Sequence, residues 1–169
     1  IYTLTKPYTT SPAADNSSNT EANPDNFTYR VTDANGNTTT GTINVSIVDD
    51  VPTASADVAT VTEGALLVVN ANTGVLTNDV LGADNASVIG VRAAGQDLST
   101  AVLSGLGNPI QGLYGQLTLQ NDGSYQYQAN ANSISANAFD RFVYTIKDGD
   151  GDLSTTTLTI NLNDSGLIA

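Results

Sequence analysis

The chain has 169 residues and a formal net charge of −12, from 17 acidic against 5 basic side chains, and it contains no His, Cys, Met or Trp. Such a surface repels nucleic acid and anionic membranes. The missing residue types exclude a thiol nucleophile, disulfide staples, an imidazole base and a soft-metal ligand set.

The first residues, Ile1 to Leu4, already lie in a strand-like pattern, so the sequence reads as a piece of something longer. Phe27, Tyr29 and Val31 alternate with polar residues, as do Ile43, Val45 and Ile47, and between them lies Asp33-Ala34-Asn35-Gly36-Asn37. Period-two spacing bounded by Asp, Asn and Gly predicts antiparallel strands with one buried face. Asp49-Asp50-Val51-Pro52 follows as a joint that Pro52 makes short and stiff. Beyond it, strands are expected near 58–62, 65–70, 86–93, 114–120, 124–128, 141–147 and 153–163, with Asn121-Asp122-Gly123 as a hairpin turn. No amphipathic helix is evident, and no run is apolar enough to span a membrane, so direct membrane insertion is not expected. The expected fold is all-β, built of Ig-like antiparallel β-sandwich modules.

The last hairpin repeats the first. A shift of 115 residues, without gaps, lays Asp25, Phe27, Tyr29, Asp33 and Gly36 on Asp140, Phe142, Tyr144, Asp148 and Gly151. The same shift lays Thr40, Thr42 and Asp49 on Thr155, Thr157 and Asp164, and Thr3-Leu4 on Thr118-Leu119. An unbroken register of this length indicates true repetition. Residues 1–50 are then the C-terminal half of one module and residues 51–169 a complete one. Half a sandwich exposes its inner face, so its other half is expected from a separate segment, another copy, or residues outside this sequence.

Asp148-Gly149-Asp150-Gly151-Asp152 is the sharpest candidate site. Oxygen-bearing side chains at every second position converge on a hard cation, while the glycines let the backbone curl around it. In an antiparallel sandwich this loop lies at the end where the chain enters, so Asp49 and Asp50 of the joint are candidate partners. Calcium takes about six to eight oxygens and would relieve the repulsion among these acids. The other reading is a solvated Asp/Gly turn. A helix-loop-helix calcium loop is excluded, because no helices flank the run and no Glu stands at its twelfth position. Asp33 and Asn35, with Asn37, keep an oxygen at each site but carry one formal charge, which fits either a weaker calcium site or a metal-free hydrogen-bonded loop. Asn78-Asp79, followed by Asp84 and Asn85, forms a third cluster; Asp79 either joins the site or caps a turn. No catalytic constellation emerges, because every carboxylate pair sits in a turn without a partner base, nucleophile or phosphate cradle. An enzyme is not expected.

The run Phe142-x-Tyr144-x-Ile146 through Asp148–Asp152 to Leu158-Thr159-Ile160-Asn161-Leu162-Asn163-Asp164 resembles the closing hairpin of bacterial Ig-like or cadherin-like tandem repeats. Gly74-Val75-Leu76-Thr77-Asn78-Asp79, Gly115–Leu119 and Asp122-Gly123-Ser124-Tyr125 are similar to the same repeat. Repeats of this kind fill giant RTX-type adhesins exported by type I secretion from Gram-negative bacteria. The resemblance implies calcium-stiffened modules at the extracellular cell surface, with Asp148, Asp150, Asp152, Asp49 and Asp50 as interface ligands. The implied function is a spacer or scaffold for cell adhesion and biofilm formation. Its partners would be neighbouring modules of the same adhesin and an inserted or adjacent ligand-binding domain. The alternative is a module that itself holds sugar or peptide, against which the absence of a Trp platform counts.

Overall fold

Asp, Asn and Gly turns divide the alternating sequence into short strands, and the architecture follows from which face of each strand is apolar. The computed structural model describes residues 1–5, 18 and 20–166, with the backbone alone for residues 22 and 23. Among these lie ten strands: β1 (Thr20–Thr32), β2 (Thr38–Val48), β3 (Asp57–Thr62), β4 (Leu66–Val69), β5 (Ser87–Ala93), β6 (Ile110–Gln111), β7 (Gly115–Leu119), β8 (Tyr125–Ala129), β9 (Ala138–Lys147) and β10 (Leu153–Asn163). Among the described residues the helical elements are two single-turn 3-10 segments, Ala71–Thr73 and Val75–Asn78.

Two four-stranded sheets form one sandwich, ordered β3-β10-β9-β5 and β4-β8-β7-β6. All pairings within them are antiparallel except β3 on β10, which runs parallel with Asp57 opposite Leu158. The inward residues are those the period-two pattern selects: Leu117, Leu119, Tyr127, Phe142, Tyr144, Ile146, Leu158, Ile160 and Leu162 are fully buried. Each such side chain contributes on the order of 1.5–3 kcal/mol by leaving water. Tyr125 and Tyr127 belong to this core, so neither offers a stacking platform to a ligand.

Strand β9 departs from simple alternation. Val143 and Thr145, on its outer face, are also buried. The segment around Val102 crosses that face, where the Val102 amide donates to Thr145 Oγ1 at 2.8 Å. Asp140, at the start of β9, is buried as well. Its carboxylate accepts from the Leu113 amide at 2.8 Å, the Tyr114 amide at 3.1 Å and the Tyr127 hydroxyl at 2.7 Å. A charge taken from water needs such partners, and these tie β8 and β9 to the turn between β6 and β7.

The hairpin β1–β2 stands apart as a two-stranded sheet, with Phe27 opposite Ile43 and Tyr29 opposite Gly41. Its connection to the sandwich is fixed by backbone pairing: Thr53 and Val80 exchange hydrogen bonds of 2.8 and 2.9 Å. Asp50 adds a side-chain tie, Oδ2 accepting from the Ala83 amide at 2.6 Å. The joint is thereby laid against the loop that follows Val75–Asn78, at the same end of the sandwich as the β9–β10 turn.

Candidate metal centre

The β9–β10 turn is organised by its first acid. Asp148 Oδ1 accepts from the amides of Gly151 at 3.0 Å and Asp152 at 2.7 Å, and the Asp148 amide donates to the Asp152 carbonyl at 3.2 Å. This local network spends one carboxylate oxygen on the turn and aims the other inward. Asp148 Oδ2 and Asp150 Oδ1 are buried and have no hydrogen-bond partner. Buried polar atoms in native folds are almost always satisfied. Two unsatisfied carboxylate oxygens side by side therefore fit a cation.

Carboxylates from three segments converge here. Asp49, Asp150 and Asp152 each offer one oxygen within 4.8 Å of the others, and Asp84, Asp148 and Asp150 do the same. Asp150 belongs to both groups, so the two carboxylate triads adjoin one another and share one residue. Asp49, Asp148 and Asp152 are buried, while Asp84 and Asp150 are half-buried. Glycine shapes the walls. A Cβ on Gly149 would lie 2.5 Å from Asp84 Oδ2, and one on Gly82, whose φ is +79°, would lie 2.8 Å from Asp50 Oδ2. Any side chain there would fill the cradle or push the acids apart.

The sequence candidates separate into distinct environments. Asp148, Asp150, Asp152 and Asp49 come together. Asp50 lies beside them with its Oδ2 held by the Ala83 amide. Asp79 belongs to neither triad: its Oδ1 accepts from the Ser55 amide at 2.7 Å, and its buried Oδ2 has no hydrogen-bond partner. Asp33 closes its own turn, with Oδ1 accepting from the Asn35 and Asn37 amides at 2.8 Å each and Oδ2 from Asn37 Nδ2 at 2.9 Å. The Asn37 side chain thus meets the oxygen whose counterpart, Asp148 Oδ2, has no partner. These bonds, that from the Asn37 side chain foremost, hold the Asp33 carboxyl below its ordinary range. Asn35 lends that turn its backbone amide. Asp84, in the third acidic cluster of the sequence, joins Asp148 and Asp150 as a candidate ligand. Its signal lies in Gly82-Ala83-Asp84-Asn85, whose left-handed Gly82 and Asn85 fold the loop back toward the turn.

A second acidic pair lies near the joint. The Tyr144 hydroxyl donates to Asp57 Oδ2 at 2.7 Å and lies 3.2 Å from the Ser55 carbonyl. Burial pushes Asp57 up to about 6, a rise that the Tyr144 bond partly offsets and Asp79 reinforces. Burial also raises Asp79, against the opposing bond from the Ser55 amide. Asp148 rises to about 6, mainly through burial; the Gly151 amide opposes the rise and Asp150 adds to it. All three groups bind protons more tightly folded than unfolded. Metal-free stability therefore rises as pH falls from about 7 through 6 toward 4, the ordinary carboxyl range. Solvent screening reduces the contributions of Asp57 and Asp79, which are only half-buried. In chelator, the midpoint of thermal unfolding should climb by a few degrees between pH 7.5 and pH 5. A flat or falling profile would mean that these acids are not strained without metal.

Residues 49–164 match the family model of the bacterial cadherin-like domain. No curated protein matches the chain. Among the described residues no helix is long and apolar enough to cross a membrane.

Proposed function

The chain belongs to the bacterial cadherin-like domain family, and from that premise we propose that it is a calcium-stiffened structural module of a bacterial surface adhesin. Domains of this family are structural and adhesive modules. The observation that carries the finer reading is the pair of carboxylate triads sharing Asp150, drawn from the joint, the 82–84 loop and the β9–β10 turn. Calcium bound there supplies a charge that makes the assembled acids compatible and links the three segments. Asp49 brings the joint into the site, while Asp84 and Asp148 anchor it to the sandwich. Asp148 Oδ1 holds the turn in shape whether or not an ion is present. Stiffening at each joint of a tandem array turns a string of modules into a rod, whereas separate domains otherwise hinge freely.

In this reading the module is a spacer or scaffold at the extracellular surface of a Gram-negative cell, in an RTX-type adhesin exported by type I secretion, supporting attachment and biofilm formation. Neighbouring modules of the same adhesin are its immediate partners, together with an inserted or adjacent ligand-binding domain. A direct ligand-binding role is the second reading. It is favoured by a cleft of about 270 Å³ beside Gly95, Gln111, Leu113 and Phe139, over whose ring the Arg141 guanidinium lies 5.3 Å from the centroid.

Calorimetric titration of the metal-free chain tests the first reading. Two calcium ions should bind per chain, with dissociation constants on the order of 0.1–1 mM, the range of extracellular modules. No heat of binding up to about 10 mM calcium would overturn it.

A further inference from the structure

Among the described residues, the apolar face of the hairpin β1–β2 is largely bare: Ile47, next to the joint, is buried and Tyr2 packs on Phe27, but the rest of the face is open. Phe27, Tyr29, Val31 and Ile43 are 50%, 49%, 52% and 54% exposed, whereas their counterparts at the shift of 115, Phe142, Tyr144, Ile146 and Leu158, are all at 0%. Both outer edges are open too, because among the described residues β1 and β2 pair only with each other. In the complete module the corresponding edges are taken, β9 by β5 and β10 by β3. Open edges beside an apolar face are a strong liability unless something completes them.

The hairpin also reproduces an internal detail of the finished module. Tyr127 and Phe142 meet edge to face at 6.2 Å and 69°, and the Tyr127 hydroxyl donates to Asp140 at 2.7 Å. Tyr2 and Phe27 meet at 6.3 Å and 64°, and the Tyr2 hydroxyl donates to Asp25 at 2.7 Å. Asp25 and Phe27 hold the addresses of Asp140 and Phe142, so one Tyr–Phe–Asp triangle is built twice, with its tyrosine from a different position. The first hairpin is thus already arranged as the wall of a core.

We propose that the open face of β1–β2 is the docking surface for a half-module: a polypeptide segment with the strand pattern of residues 53–115, supplying the equivalents of β3, β4, β5 and β6. The established interface within the complete module defines what this partner must offer. It needs one strand parallel to β2, one antiparallel to β1, and an apolar inner face of nearly the same shape. Volumes agree closely. Phe27 and Tyr29 match Phe142 and Tyr144 in kind, Ile43 and Ile47 stand where Leu158 and Leu162 do, and Val31 and Val45 are each one methylene smaller than Ile146 and Ile160. Volume-conserving changes of this order are well tolerated in cores. The partner should also carry a carboxylate at the address of Asp57, to accept from the Tyr29 hydroxyl as Asp57 accepts from Tyr144. A second copy of this chain fits less well, because its own 53–115 segment is already committed to its own sandwich. The proposal is independent of calcium.

The test fuses a second copy of residues 53–115 directly ahead of Ile1, so that Gly115 precedes Ile1 as it natively precedes Gln116. Amide exchange across Phe27–Val31 and Ile43–Ile47 should slow by on the order of 100-fold or more relative to the unfused chain. A second cooperative unfolding transition should appear beside that of the native module, which serves as an internal folding control. Phe27→Ser in the fusion should abolish the new transition alone. Unchanged exchange in the fusion would overturn the proposal. So would a concentration-dependent dimer of the unfused chain that already protects the same amides, since the occupant would then be a second copy.

Discussion

Calcium at about 100 times its dissociation constant is expected to raise the midpoint of thermal unfolding by about 15 °C, the largest effect any single addition should have on this chain. The size follows from linkage. An ion that binds only the folded state adds about 2.7 kcal/mol at 100 times its dissociation constant, so two positions add roughly 5 kcal/mol. For a domain of this size each kcal/mol moves the midpoint by about 3–5 °C. The effect should set in near the dissociation constant, grow with the logarithm of free calcium above it, reverse on chelation, and be much smaller with magnesium, which demands tighter octahedral geometry and sheds its water reluctantly. It should also weaken below about pH 6, where Asp148 takes up a proton and protons compete with the cation for the site. A midpoint unmoved by calcium and by chelator would remove the cation from the account of this fold.

Strands and core were legible in the sequence because both depend on local alternation. Phe142, Tyr144 and Ile146 face inward for the same reason that Leu158, Ile160 and Leu162 do, and β3, β4, β5, β7, β8 and β10 fall within a residue or two of their expected places. Strand β6 escaped because its two residues, Ile110–Gln111, show no period. Burial of the outer face of β9 escaped because it depends on where the distant segment around Val102 crosses. The site divides along the same line. The acids of Asp148–Asp152 announce themselves by spacing, and Asp49 by its position in the joint. Asp84 enters only through the fold of a loop, and Asp79, four residues after the Val75 that opens its turn, is drawn off to the Ser55 amide instead. At Asp33 the sequence similarity to Asp148 was plain. Its different environment has two sources: Asn37 closes on Asp33 Oδ2, and Asp33 is exposed where Asp148 is buried beside Asp84 and Asp150.

Replacing Asp150 by Asn should change stability in opposite directions with and without calcium. Asp150 raises the Asp148 carboxyl, so removing its charge relieves repulsion in the metal-free chain and should stabilise that state by about 0.5–1 kcal/mol. The turn itself should survive, since it is held by Asp148 Oδ1 and by the backbone bond from Asp148 to Asp152. Asp150 is also the oxygen donor common to both triads. Its loss should therefore weaken both binding events and lower the calcium-loaded stability by about 3 kcal/mol or more. Asp49→Asn and Asp84→Asn each touch one triad and should each weaken a single event. The double variant Asp49→Asn/Asp84→Asn should approach the loss seen with Asp150→Asn, and adding Asp150→Asn to it should cost far less than the sum, as expected for groups acting on shared ligands. Calorimetry gives the binding events, and melting in calcium and in chelator gives the two stabilities. If Asp150→Asn weakens one event alone, the carboxylate is not shared and the two positions are independent. If it destabilises the chain equally in both conditions, Asp150 serves the turn rather than a cation.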